Sequence, residues 1–268
     1  MDIQQVQVNL FKIYLNRGYR LAYRLDPVGF CAGLGLGPEE RDYLTRLTID
    51  DLEPFAAELA AKRVAQLRTA MPRTFRWIEG NLPELPAEYC DVQPTTVADG
   101  IHHSVERFPG YLREYRDFYG TVPQAVVDTA EFEAALQGCR RAWREQLDDE
   151  PEACFETFSW NSVYWSPLRT RGLSLATDVM RPESAPVSGD SVNSPTSLVV
   201  SWVAGRPKTL RVSPSVLALV VALAQPRRAD RLRDTYMSEA QTQAALVQLS
   251  RSGVIHCLVG PTKEQTVD

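Results

Sequence analysis

Few residues in this 268-residue chain have the types and spacing of a chemical site. The three histidines are His102, His103 and His256. His102 and His103 are adjacent, and neighbours on a helix point about 100° apart, so the pair does not share a metal ion. His256 stands alone in an apolar stretch. The chain has no H-x-x-x-H pair and no G-x-S-x-G elbow, and no cysteine stands in an evident electropositive setting. Gly33-Leu-Gly-Leu-Gly37 has the texture of a dinucleotide loop. Such a loop needs a buried strand before it, and Leu21 to Phe30 contains Arg, Asp and Pro, so a plain helix break is expected. Asp148 and Asp149 read as a solvated helix end. The aromatic residues Phe155, Phe158, Trp160, Tyr164 and Trp165 either hold a ligand or pack one domain on another. The expectation is a chain that is not itself an enzyme, with no catalytic residues, no metal ligands and no cofactor.

The remaining chemistry is that of an unpaired backbone. Ser197–Val203 reads as a strand, Ala204–Lys208 as a turn and Thr209–Ser213 as a second strand. Two helical segments follow, then the apolar exit Val254–Leu258. A strand edge offers free N–H and C=O groups onto which an extended peptide can add as a further strand. Thr209, Arg211 and Ser213 are expected to supply that edge, with Gln243, Leu246 and Leu249 as the facing wall. The competing expectation is that Val254–Leu258 covers the same edge. Arg227, Arg228, Arg231 and Arg233 form a basic patch, and the last helix carries Gln241, Gln243, Gln248 and Arg251. Those residue types also suit a winged helix that reads DNA.

Composition bounds the choice. The chain is 44% hydrophobic and 24% charged, which suits a globular protein with a core of its own. Its net charge of -5 argues against a phosphate-backbone partner, because nucleic-acid affinity rests on clustered Lys and Arg. The longest apolar run, Val216 to Ala224, falls short of the roughly 20 residues that cross a bilayer, so no membrane association is expected. The start of the chain lacks the basic-then-apolar pattern of a signal peptide, and a cytoplasmic location is expected. Five cysteines, never paired as C-x-x-C, read as reduced and mostly buried.

The elements that must position the edge follow from periodicity. Residues 1–80 are expected to be helical. Pro38 opens one helix, and Asp50 and Asp51 lead a longer one with Ala56, Ala60, Val64, Leu67 and Met71 inward and Glu58, Lys62 and Arg63 outward. Asn81–Thr96 reads as a Pro-rich connection. Asp128 and Glu131 read as a capping box before a helix with Phe132, Leu136, Cys139, Trp143 and Leu147 on its apolar face and Glu133 among the polar residues opposite. Residues 172–179 alternate like a strand, and 181–196 read as a linker. The expected fold is α+β: a mostly helical docking domain over 1–150, then a winged-helix-like peptide-recognition domain over 151–268 with a small antiparallel sheet.

Residues 55–258 resemble a family described as DNA-binding domains that accompany TIM-barrel iron enzymes. Partner subunits of methanobactin-type and 3-thiaglutamate-type peptide natural-product pathways belong to it. The likeness is carried by Val105-Glu-Arg-Phe-Pro-Gly-Tyr-Leu112, the helix Phe132–Trp143, Ser166–Leu175, Ser197–Ala224 and Leu246–Ile255. The C-terminal part also resembles the recognition elements of ribosomally synthesised peptide (RiPP) pathways. The resemblance implies a non-catalytic accessory subunit that forms a heterodimer with a TIM-barrel iron enzyme. It would hold the leader of a precursor peptide and present it to that iron-dependent oxidase, whose iron ligands lie in the other subunit. Leu25-Asp-Pro27 and Gly35-Leu-Gly-Pro-Glu-Glu-Arg41 resemble the small helical subunit of ring-opening dioxygenases. This implies an extra docking element. The alternatives are a winged-helix DNA-binding regulator and an accessory subunit of a ring-cleaving dioxygenase.

Overall fold

A computed structural model describes residues 2–93, 100–145, 164–166, 170–180, 195–223, 227, 228, 232 and 237–258. The chain divides into two compact units, Met1–Gly120 and Thr121–Asp268. The first is helical and the second mixes helices with small antiparallel sheets, so the fold is α+β. Among the described residues no helix is long and apolar enough to cross a membrane.

The first unit contains α1 (Ile3–Leu15), α2 (Arg17–Leu25), α3 (Pro27–Ala32), α4 (Pro38–Thr45), α5 (Ile49–Ala70), α6 (Pro72–Asn81), α7 (Leu85–Val92) and α8 (Gly100–Tyr119). Short polar residues stop and restart the chain. Asp2, Asn16 and Asp26 each accept a backbone N–H at the head of α1, α2 and α3, and Thr48 and Asp51 cap α5 reciprocally. The glycine run lies between α3 and α4, with Gly35 at φ 67°, and no strand precedes it. That disposes of a dinucleotide loop. Val6, Ile13, Tyr23, Leu36, Leu44 and Leu52 form one core cluster.

Three expectations change here. Asn81–Thr96 contains a helix, α7, because Pro86 suits a first turn. Arg63 is not outward but 8% exposed. Its guanidinium donates to the carbonyls of Cys90 and Gln93 at 2.9 and 2.8 Å, at the end of α7. Helix-end carbonyls lack intrahelical donors, and Arg brings five N–H groups, so the charge is drawn inward. Glu133, expected on the polar face of its helix, is also buried.

The second unit is built on a three-stranded antiparallel sheet. Its strands β2 (Thr170–Leu175), β3 (Thr196–Val203) and β4 (Arg206–Arg211) run in the order β2-β3-β4. Val203 pairs with Arg206 across a two-residue turn in which Ala204 and Gly205 have φ of 47° and 74°. Two positive φ values are what a type I′ turn requires, and its twist matches that of the strands. A second sheet joins β1 (Tyr164–Ser166) to β5 (Arg227–Arg228) and β6 (His256–Leu258).

Alternate residues of β3 enter two cores. Leu198 and Val200 pack with Phe132 and Cys139 of α9 (Gln124–Glu145). Val199 packs on the other face with Leu219 and Leu223 from α10 (Pro214–Ala222) and its cap, and with Leu246 and Leu249 of α11 (Glu239–Arg251). The sequence boundary near 150 would put α9 in the helical domain, whereas α9 packs on β2 and β3 of the second unit. Asp128 is not an N-cap, because α9 begins at Gln124. Its buried carboxylate instead accepts from the Gln124 amide and from the backbone N–H and hydroxyl of Thr177, fastening α9 to the segment after β2. Gly253 ends α11. The N–H of Val254 reaches the Leu249 carbonyl at 3.0 Å and that of Gly253 reaches Ser250 at 2.8 Å, with Gly253 at φ 72°.

Replacing Arg63 by Met leaves the Cys90 and Gln93 carbonyls without that donor. Loss of about 2–3 kcal/mol of stability is expected from those charged hydrogen bonds, read by urea denaturation with circular dichroism.

Candidate functional site

In a two-residue hairpin the residues that close the turn form a hydrogen-bonded pair, and such pairs alternate along the ladder. Val203 and Arg206 close this turn. Two steps on are Ser201 and Lys208, then Val199 and Leu210. The Val212 N–H donating to the Ser197 carbonyl at 3.0 Å confirms the phase. Arg206, Lys208, Leu210 and Val212 therefore turn their backbone groups toward β3. Pro207, Thr209 and Arg211 turn theirs away from it. Proline has no N–H, so the outward donors of β4 are the amides of Thr209 and Arg211.

Among the described residues β4 has a strand partner on one side only. The segment expected as the competing cover does not lie there. Val254 and Ile255 are in the core, and β6 pairs with β1. α9 and α10 both lie mainly across β2 and β3, so among the described residues β4 is the least covered strand of the sheet. Leu210 is half-buried although it packs on the same core as Val199, which is fully buried. On β2, by contrast, α10 presses so close that a Cβ on Gly172 would stand 2.7 Å from Leu217 Cδ1.

The residues named from sequence divide. Thr209 and Arg211 are on the edge as expected. Ser213 is not; it is the N-cap of α10, its hydroxyl accepting the Val216 N–H at 3.3 Å. Leu246 and Leu249 are 0% and 4% exposed and serve as core, so they form no open wall. Their spacing with Thr242 and Ala245 is the buried stripe of α11, which explains why the sequence pattern caught them. Gln243 is exposed on the opposite side of α11. There it lines a shallow concavity of about 440 Å³ with Ala240, Ala244, Val247, Gln248 and Arg251. The sheet separates the two groups. The side chains of Thr209 and Arg211 share the face that packs on α9, while Leu246 and Leu249 pack beneath the other face.

Charge gathers along β4, whose sequence Arg-Pro-Lys-Thr-Leu-Arg holds three cations and no acid. Arg211 reaches Asp178 at 2.5 Å, and Lys208 Nζ donates to the Ser252 carbonyl at 2.6 Å at the end of α11. Arg140 of α9 lies 5.5 Å over the ring of Trp202. Sequence reasoning missed Pro207 and Leu210. The signal for both was present, since a two-residue Ala-Gly turn sets the register of everything after it.

The thiols do not compete as a site. Cys31, Cys90 and Cys139 are buried and free. Burial pushes the Cys139 thiol up to about 11, against a smaller opposing pull from Arg171, and burial raises Cys31 and Cys90 as well. His103 and Glu106 fall one turn apart on α8, but among the described residues no three His, Cys, Asp or Glu side chains gather for a metal. The aromatic segment 155–163, together with Arg231, Arg233 and the linker 181–194, lies outside the described residues.

No protein-family model matches the chain, and no curated protein sequence is matched by it.

The buried thiols give a direct check. Cys31, Cys90 and Cys139 are expected to resist Ellman's reagent at pH 8 in the folded protein and to react once denaturant opens it. Rapid labelling of any of the three in native buffer, mapped by mass spectrometry, would contradict the packing described.

Proposed function

We propose that the chain is a non-catalytic partner subunit that binds an extended peptide along β4. In the first instance this is the leader of a ribosomally made precursor, presented to a TIM-barrel iron enzyme. One observation carries the proposal: the Thr209 and Arg211 amides point away from β3, beside a half-buried Leu210, on the least covered strand of the sheet. A buried amide left unpaired is costly, and an exposed one is an invitation to a further strand. The order of hairpin, α10 and α11 supports a winged-helix-like module, and the resemblance of the C-terminal part to RiPP recognition elements supports the same use. The helical first unit then serves as a docking element.

A second function has one observation in its favour. The outer face of α11 presents Gln243, Gln248 and Arg251 around a shallow concavity, the residue types of a DNA-reading helix. The net charge of -5 weighs against it.

The experiment uses fluorescein-labelled synthetic peptides encoded by short reading frames beside the gene. Fluorescence polarisation is expected to find one that binds, with little salt dependence. Thr209→Pro removes an outward donor from a position in the same phase as Pro207. It is expected to weaken that binding at least tenfold while changing stability by about 1 kcal/mol or less. Leu210→Pro removes a ladder bond to Val199 and is expected to unfold the sheet. Unchanged affinity in Thr209→Pro overturns the edge as the binding site. A DNA gel shift that falls steeply with salt would favour the regulator instead.

A further inference from the structure

The edge that offers the peptide site also restricts what fits it. We infer that β4 takes a short antiparallel strand centred on an apolar residue, with an acidic residue facing Arg211 and with Pro207 as its stop. This rests on the peptide-binding function proposed above and adds the register and residue class of the ligand.

Direction comes first. Antiparallel pairing is slightly more stable per residue than parallel. In that arrangement the incoming residues facing Arg211 and Thr209 each exchange two bonds with β4. The residue between them faces Leu210 in a non-hydrogen-bonded pair. Such pairs bring side chains closest, with Cα atoms about 4.5 Å apart. Its side chain therefore lies beside Leu210 and Val212, both half-buried and both packed on the core of α10 and α11. An apolar side chain there extends that core over the open flank. A carboxylate there would be partly desolvated, and the cation on that face, Lys208, already donates to the Ser252 carbonyl.

The flanking residues lie on the other face, beside Thr209 and Arg211. Of the three cations on β4 only Arg211 is on that face, and the donors it does not spend on Asp178 favour a carboxylate at the position facing it. Toward the turn, Pro207 can accept a bond but cannot donate one, so full pairing ends after Thr209. The predicted core is thus acidic, apolar, then polar, read from the end facing Arg211 toward the turn.

The test titrates the ¹⁵N-labelled full chain with a defined probe, Gly-Ser-Glu-Val-Thr-Ser-Gly, following the Thr209 and Arg211 amide signals. Those two signals are expected to shift on addition. Replacing the central valine by aspartate is expected to weaken binding about tenfold. N-methylation separates the directions. In antiparallel register, methylating Glu or Thr removes a donor aimed at β4 and is expected to weaken binding about tenfold, whereas methylating Val is tolerated. In parallel register the dependence reverses, and that result overturns the inference. Pro207→Ala restores an outward N–H. By the net worth of one hydrogen bond it is expected to tighten a probe lengthened at its C-terminal end by about threefold or more. No tightening removes Pro207 as the stop. If no probe of this pattern binds while a peptide encoded beside the gene does, the residue pattern falls and the peptide-binding function stands. If both fail, both fall.

Discussion

The second unit depends on β3 being buried on both faces. Ser197 to Ser201 are five consecutive buried residues, which a strand achieves only when layers cover it above and below. α9 supplies one layer, and α10 with α11 the other. Once those layers are centred on β3, the outer strands differ in cover. β2 lies under both helices, close enough that a Cβ at position 172 would displace the end of the Leu217 side chain. β4 is left to overhang. Among the described residues the unpaired edge of β4 is thus a consequence of where the helices must sit to bury Leu198, Val199 and Val200.

The same concern with backbone groups shapes the first unit by another route. Helices as short as α2, α3 and α4 leave a large share of their N–H and C=O groups at ends. Asp2, Asn16 and Asp26 take up N–H groups, while Arg63 and Arg20 reach carbonyls at the ends of α7 and α1. Arg20 donates to the Tyr14 carbonyl at 2.6 Å and approaches Asp91 and Glu53 at 3.4 and 3.5 Å. Guanidinium is suited to this because it loses little by partial burial when its several donors are met by carbonyls and carboxylates together.

Legibility in the sequence followed the same line between local and distant causes. That a hairpin follows Ser197 was legible because alternation is local, although its turn is Ala204–Gly205 and not Ala204–Lys208, and α5 was legible from its apolar spacing. The break at Gly33–Gly37 was legible for the same reason. Arg63 was not, since its inward turn is caused by carbonyls of α7, nearly thirty residues away. Asp128 looked like a cap because Asp followed by Glu three residues later fits that pattern; its actual partner, Thr177, is distant in sequence. Within the site, Thr209 and Arg211 were legible from strand alternation. Ser213 was misplaced because a serine at a strand end and a serine at a helix cap look alike until the helix start is known. Leu246 and Leu249 were misplaced because apolar spacing identifies a buried face without saying what buries it.

An open edge is also a hazard, and β4 carries the features that limit it. A second copy of β4 laid antiparallel on the first would bring two sets of three cations onto one short ribbon with no acid of its own to offset them, which disfavours the pair. Pro207 would interrupt the bonds of either copy. Six residues is also short for an edge, so few bonds remain to offset the ordering of a partner. These features select as much as they protect. They disfavour the chain's own strand and any cationic segment. On the proposed function they leave pairing open to a short strand with an acid facing Arg211 and an apolar centre beside Leu210. A site of this kind gains its discrimination from what the edge refuses as well as from what it bonds.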